Sequence, residues 1–326
     1  MKNCPIIFVI GAGAFGSALS SVIASRGNSC VTLLGRRKNL IQQLKESRIH
    51  AQYFPSIKLS HLLNFSTDYK RLREADIVLF VTSSKGYGEA IHFYKQWLKN
   101  SADVIICSKG FEYHSGSLLC DYSEKILSSQ SCSILSGPGF ASDIIQGLPV
   151  AVTLASKNIE KSKSLSAIIS HKSFQVHCSD DRIGVQMGGA LKNIIAIASG
   201  ILKGRKLGDS ARAMILVQGL AEVTAITEIL GGRAETVGGL SGLGDLILTA
   251  TSEQSRNFCF GVLLGEGKKT DLDKMGLVEG AFAASRATKL TKGTNLKFPI
   301  VQAIADVVAN RITIDEVVNI FLNLSF

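Results

Sequence analysis

The feature that most restricts the fold of this chain is a glycine-spaced turn, Gly11-Ala12-Gly13-Ala14-Phe15-Gly16, set directly after the apolar run Ile6-Ile7-Phe8-Val9-Ile10. That run is short, unbroken and rich in β-branched residues, as expected for a strand buried on both faces. Phe15, Ala18, Leu19, Val22 and Ile23 then recur at helical spacing, Gly27-Asn28 stops the helix, and Val31-Thr32-Leu33-Leu34 reads as a second buried strand. Together they make a βαβ unit of about 30 residues. In that setting Gly11 allows the tight turn, Gly13 lets backbone approach a ligand, and Gly16 lets the helix pack on the strand. The helix N-terminus presents free N–H groups and a positive dipole end, which suit an anion. These residues predict a site for the pyrophosphate of a dinucleotide.

The end of the second strand selects among dinucleotides. An NAD site usually places Asp or Glu there, about 20 residues beyond the glycines, to bind the ribose 2′-hydroxyl. This chain reads Gly35-Arg36-Arg37-Lys38, with no local carboxylate. Two guanidinium groups suit a 2′-phosphate, so NADP(H) is expected in preference to NAD(H).

The remaining composition bounds the rest. With 326 residues, 46% of them hydrophobic, the chain can bury two ordinary cores. Lys2 before an apolar segment imitates a signal peptide, but the spaced glycines explain that segment better. No later stretch supplies about 18 uninterrupted apolar residues, so no membrane span is expected. Seven cysteines without a CxxC pair suit a reducing cytoplasm and argue against zinc. The net charge of +10 comes from scattered lysines and arginines, with no aromatic interleaving, so a phosphate-rich cofactor and an anionic small molecule account for it better than nucleic acid does.

Further strands are expected at Asp76 to Val81, Val104 to Cys107, Ser133 to Leu135, Pro149 to Leu154 and Phe174 to His177, with a short helix from Lys38 to Ser47 and a loop at Tyr53-Phe54-Pro55. Arg71 to Ala75 reads as a polar approach to the strand Asp76 to Val81. The loops Thr82 to Gly86 and Ser108-Lys109-Gly110 follow strand ends, where open α/β sheets bind ligands. Beyond about Ser179 helical spacing takes over, at Ile194 to Ala198, Leu216 to Leu230, Val301 to Ala309 and Val317 to Leu324. The fold class is therefore α/β, with a doubly wound dinucleotide-binding domain over residues 1–180 and an all-helical substrate domain over 181–326. Apolar faces such as Ile194 to Leu202 suit either a core or a homodimer interface.

Three stretches of the helical half carry chemistry. Gly188-Gly189-Ala190-Leu191-Lys192-Asn193 places a lysine and an amide in an apolar helix, where lysine is almost never buried without a partner or a task. Gly239 to Gly244 is a glycine-rich turn entering a helix at Asp245, which by itself is explained as an N-cap or first-turn acid. Ser255-Arg256-Asn257 clusters phosphate-type donors, though Arg256 alone reads equally as a surface arginine.

In their order these blocks, with Ser136-Gly137-Pro138, Gly242 to Asp245 and Val278-Glu279-Gly280, resemble the bacterial type of NAD(P)-dependent glycerol-3-phosphate dehydrogenase over nearly the whole chain. The resemblance implies an N-terminal Rossmann domain, a helical domain like the C-terminal domain of 6-phosphogluconate dehydrogenase, and reversible reduction of dihydroxyacetone phosphate for glycerophospholipid synthesis. It implies Lys192 as the catalytic proton donor, oriented by Asp245, with Thr249 and Asn193 as hydrogen-bond partners and Lys109 as a neighbouring cation. It implies cofactor contacts at Gly11, Gly13, Ala14, Phe15, Gly16, Arg36, Arg37, Tyr53, Lys109, Ala141, Arg256, Val278 and Glu279. Substrate contacts are implied at Lys109, Gly137, Gly139, Lys192, Asn193, Asp245, Ser255, Arg256 and Asn257. Two positions depart from the pattern: Ala14-Phe15 stands where Ser-Trp is usual, and Gly139 where serine is usual, leaving only a backbone donor there. Related two-domain reductases of the β-hydroxyacid or 6-phosphogluconate dehydrogenase type, and a nucleotide-sensing protein without turnover, are the alternatives on residues alone.

Overall fold

The computed structural model describes residues 4–268 and 278–324; Lys2 lies outside them. The chain divides into two compact units, Met1–Arg182 and Ile183–Phe326.

The first unit is built on an eight-stranded sheet in the order β3-β2-β1-β4-β5-β6-β7-β8. The apolar runs form β1 (Ile6–Ile10), β2 (Cys30–Leu34), β4 (Ile77–Phe80), β5 (Asp103–Ile106), β6 (Ser131–Ser136), β7 (Val150–Ala155) and β8 (Phe174–Ser179), and β3 (Asn64–Ser66) adds an edge. All pairs are parallel except β6 with β7. Parallel neighbours need a long crossover. The link from β6 to β7 contains only the five-residue helix α5 (Ala141–Ile145), and there the chain turns back antiparallel. Order reverses around β1, which has β2 on one side and β4 on the other, with Ile10 level with both Leu34 and Phe80. Such a switch point opens a crevice outside the carboxyl ends of the strands.

Helix α1 (Ala14–Ser25) packs its apolar stripe on this sheet, with Ala18, Leu19 and Ile23 fully buried. Helix α2 (Lys38–Ser47) covers β2 through Ile41 and Leu44. The polar approach at Arg71 to Ala75 is a 3-10 turn over Tyr69–Glu74. The expected loop Thr82 to Gly86 is shorter than read. Ser83 caps a helix, α3 (Ser84–Tyr94), by accepting the Gly86 N–H at 3.2 Å, so Lys85 and Gly86 are helical. Gly86 and Gly88 are poor helix formers and hid this element. Gly88 is required by packing, since a Cβ there would stand 2.6 Å from Glu112 Oε1.

The described part of the second unit is helical. Its axis is α7 (Arg182–Gly204), 23 residues long, which begins at the unit boundary. By length and composition α7 could cross a bilayer, but its apolar window is entirely buried inside the protein. Ile194 to Leu202 therefore belong to the core, not to a homodimer face. Helix α11 (Arg256–Gly265) crosses α7 backbone to backbone: a Cβ on Gly261 would lie 2.1 Å from the Ile197 carbonyl oxygen, and one on Gly200 2.2 Å from that of Phe258. On α8 (Gly208–Ile229), the buried Glu222 carboxylate accepts the Ile300 and Val301 N–H groups at 2.8 and 2.9 Å, capping α13 (Pro299–Val308). Burial pushes its carboxyl pKa up to about 7 against the pull of those two donors.

Candidate functional site

In the first unit, a cleft of about 570 Å³ opens at the switch point. Its floor is Ile10 to Gly13, one wall is Leu34 to Arg37, and the other is Val81 to Ser83 continued by α3 residues Glu89, Ala90, Phe93 and Tyr94. The glycines of the turn differ in what they serve. Gly11 has φ +120° and no room, a Cβ there meeting the Val81 carbonyl oxygen at 2.2 Å; a Cβ on Gly16 would meet the Gly11 carbonyl oxygen at 1.9 Å. A Cβ on Gly13 would meet nothing within 4 Å. The fold itself does not need Gly13, and the space it leaves faces the cleft. A pyrophosphate fits this cradle: the N-terminus of α1 lies behind it, with no acidic side chain in the first turn of that helix to compete.

Arg36 and Arg37 both line the cleft. Arg36 also acts electrostatically on Tyr94, which places its charge toward α3. The wall carries a carboxylate after all, Glu89, absent from the end of β2 but delivered by α3. Phe93, 45% exposed, adds a ring at the rim, packed against Tyr69 and Trp97. Sequence reasoning missed both because it read no helix there; the Ser83 cap was the available signal.

Ala14, Phe15 and Ala141 pack against the sheet core as partly buried apolar groups. Tyr53 is not among the residues lining the cleft; its ring centroid is 4.7 Å from that of His50. Lys109 Nζ donates to the Gly137 carbonyl oxygen at 3.1 Å, tying two strand ends together. At Gly139 a Cβ would come within 3.0 Å of Val150 Cγ1, so a serine would need Val150 to give way.

In the second unit the glycines of α7 position the chemistry. A Cβ on Gly188 would stand 2.7 Å from the Ser241 carbonyl oxygen, so its absence lets the π-helical turn Leu240–Gly244 press on α7. That turn leads into α10 (Asp245–Thr251) and sets Asp245 opposite Lys192, one helical turn on from Gly188. Lys192 Nζ donates to Asp245 Oδ1 at 2.6 Å and to Thr249 Oγ1 at 2.5 Å, all three residues being buried. Asp245 is the first-turn acid of α10, as its residue type suggests, and it is also one half of a buried ion pair.

Neighbouring blocks converge on the same stretch of α7. A Cβ on Gly280 would lie 2.5 Å from the Asn193 carbonyl oxygen, and the Gly280 N–H donates to Asn257 Oδ1 at 2.9 Å. Asn193 Nδ2 reaches Glu279 Oε2 at 3.5 Å, at the start of α12 (Glu279–Leu290) behind the buried Val278. Asn193 thus turns to Glu279, while Thr249 joins Lys192. Ser255 caps α11 by accepting the Phe258 N–H at 3.2 Å, so its oxygen serves the helix first. Arg256, the first residue of α11, is exposed.

Two family models cover this chain, described as the N-terminus and the C-terminus of NAD-dependent glycerol-3-phosphate dehydrogenase and matching residues 6–162 and 181–319. The chain belongs to the NAD-dependent glycerol-3-phosphate dehydrogenase family. A glycerol-3-phosphate dehydrogenase of Rhizobium johnstonii, NAD(P)+-dependent by its name, is 47% identical over 312 residues, 96% of this chain and 95% of that protein. The crystal structure of glycerol-3-phosphate dehydrogenase from Coxiella burnetii superposes with a TM-score of 0.89 at 31% identity, covering 98% of this chain and 99% of that one. A ketopantoate reductase from Ralstonia eutropha shares the fold alone, with a TM-score of 0.61 at 18% identity over 95% of this chain and 99% of that one. In family terms, the dinucleotide cleft belongs to the N-terminal region and the Lys192 cluster to the C-terminal one.

Proposed function

We propose that this chain reduces dihydroxyacetone phosphate to sn-glycerol 3-phosphate reversibly, with NADPH preferred to NADH and Lys192 as the proton donor. The single observation that carries the mechanism is the buried Lys192–Asp245–Thr249 cluster in a member of this family. The nicotinamide, when bound, supplies the hydride. Asp245 and Thr249 hold the Lys192 ammonium in one direction, so that Nζ gives its proton to the carbonyl oxygen as that oxygen gains negative charge, and recovers it in the reverse direction. A point-like ammonium suits this transfer because it carries both a proton and the charge that stabilises the developing alkoxide.

Arg256 supplies the guanidinium fork for the substrate phosphate, supported by the N-terminus of α11 and by the Asn257 amide. Ser255, Asn193 and the Gly139 N–H complete the substrate contacts, and Lys109 adds positive charge. Ala14, Phe15, Tyr53, Ala141, Val278 and Glu279 serve the cofactor. The preference for NADPH rests on Arg36 and Arg37 lining the cleft. Glu89 on the opposite wall offers an acceptor for an unphosphorylated ribose, which supports retained use of NADH. The enzyme works in a reducing cytoplasm, which suits its seven thiols, and feeds glycerophospholipid synthesis.

The test is the initial rate of NADPH oxidation with dihydroxyacetone phosphate, beside NADH and beside unphosphorylated dihydroxyacetone. Turnover that requires the phosphate and favours NADPH is expected. Preference for NADH would overturn the assignment of Arg36 and Arg37, and equal rates without the phosphate would overturn that of Arg256.

A further inference from the structure

His50 is fully buried and lies outside every motif of the sequence. Its Nε2 stands 3.3 Å from the carbonyl oxygen of Ala12, in the middle of the glycine turn. A carbonyl only accepts, so the ring carries its proton on Nε2 and donates it there. Nδ1 is then a buried lone pair with no hydrogen-bond partner among the described residues. The bond to the Ala12 carbonyl fixes both the tautomer and the direction of the ring. The ring is fixed from its other side as well: Tyr53 and Phe54 pack against it, and the His50 carbonyl accepts the N–H groups of both.

The peptide that His50 grips joins Ala12 to Gly13. A trans peptide is planar, with C=O and N–H pointing in opposite directions. Holding the Ala12 carbonyl toward the buried ring therefore turns the Gly13 N–H the other way, and both residues line the cleft. Gly13 is also a position where a side chain would meet nothing within 4 Å, so open space adjoins this peptide on the cleft side. We propose that His50 is a positioning residue for the dinucleotide, orienting the Ala12–Gly13 peptide so that the Gly13 N–H is preset as a donor to a pyrophosphate oxygen.

This inference rests on the dinucleotide reading of the cleft. It also gives Tyr53, which does not line the cleft, an indirect role in cofactor binding: it packs on the ring that holds the turn. Burial lowers the His50 pKa below its ordinary value, and the Arg37 guanidinium pushes the same way, so the neutral donor form persists at neutral pH.

The experiment compares His50→Phe and His50→Leu, which keep bulk and remove the donor, with His50→Gln, which retains an N–H of similar reach. Binding of NADPH, ADP-ribose and adenosine 2′-monophosphate is measured by calorimetry, with KM and kcat alongside. In whichever apolar variant keeps the wild-type circular dichroism, the dissociation constants of NADPH and ADP-ribose should rise about tenfold, for one misaligned charge-assisted donor. Adenosine 2′-monophosphate, which lacks the pyrophosphate, should bind within about twofold of wild type, and KM for NADPH should rise more than kcat falls. The glutamine variant should recover most of the affinity. Unchanged NADPH binding in a folded apolar variant would overturn the proposal. So would equal weakening of adenosine 2′-monophosphate, or a folded glutamine variant as weak as the apolar ones. Failure of the wild-type protein to bind either dinucleotide would instead remove the cleft reading, and the proposal with it.

Discussion

The buried pair of Lys192 and Asp245 makes a quantitative demand on the protein. Their side chains are 7% and 2% exposed, and Nζ stands 2.6 Å from Oδ1. For such a pair the attraction roughly offsets the desolvation of both charges, so the pair as a whole adds little stability. Removing one partner is different, because the other charge stays buried. Asp245→Ala should lower the unfolding free energy by about 3 to 5 kcal/mol. Thr249, whose hydroxyl lies 2.5 Å from Nζ, is a neutral partner, and Thr249→Val should cost only about 1 kcal/mol. The double variant Lys192→Met/Asp245→Leu replaces both charges by apolar groups of similar size and should recover most of the loss. Neither Asp245→Ala nor the double variant should retain more than about one part in a hundred of kcat, because the proton donor is misplaced or gone. Denaturant unfolding followed by far-ultraviolet circular dichroism, with steady-state kinetics, measures all of this. A loss below about 1 kcal/mol in Asp245→Ala, or a double variant as unstable as the sum of its parts, would refute the claim that the ammonium is buried and dependent on its carboxylate.

Four further outcomes are expected. Arg36→Ala and Arg37→Ala should each raise KM for NADPH by roughly tenfold to a hundredfold and leave KM for NADH within about threefold, as steady-state kinetics with both cofactors will show. Gly13→Ala, whose Cβ meets nothing within 4 Å, should leave the melting temperature of the ligand-free protein unchanged while weakening NADPH binding. Gly16→Ala, with a Cβ 1.9 Å from the Gly11 carbonyl oxygen, should lower that melting temperature before any ligand is added. Finally, Glu222 carries a folded pKa of about 7 against an ordinary 4.5, so between those values the native state keeps a proton that the unfolded chain releases. Stability should therefore fall as pH rises through that window, by roughly 3 kcal/mol from this one group. Glu222→Gln, neutral throughout, should show that much less dependence in denaturant titrations at about pH 5 and about pH 8.

Much of the N-terminal unit is legible in the sequence, because its signals are local. An apolar run of five residues, three glycines at fixed offsets and a helical stripe sit side by side in the chain, and their periods differ enough to be told apart. Helix α3 was not legible: its glycines lower helix propensity, and what stabilises it is packing against Glu112 and the sheet. With it went Glu89 and Phe93, the wall of the cleft that no motif marks. The antiparallel turn of β7 was hidden for a related reason, since the residues of a buried strand look alike in either direction.

For the helical unit, the motif blocks identified the family, but their residue types alone did not say which side chains touch. Lys192 and Asp245 are distant in sequence and meet only because Gly188 lets the turn at Leu240–Gly244 lie against α7. Asn193 and Asn257 were expected as substrate contacts, and the fold also assigns them to Glu279 and Gly280. By itself the sequence determined the βαβ unit, its anion-binding turn, the helical character of the second half and the family, since each is written in short-range spacing or in residue identity. Tertiary structure alone decided which donor meets which acceptor, how deeply each charge is buried, and that an unmarked histidine holds the glycine turn. Those outcomes depend on backbones approaching closely at a few glycines, a contact between distant segments that no local pattern encodes.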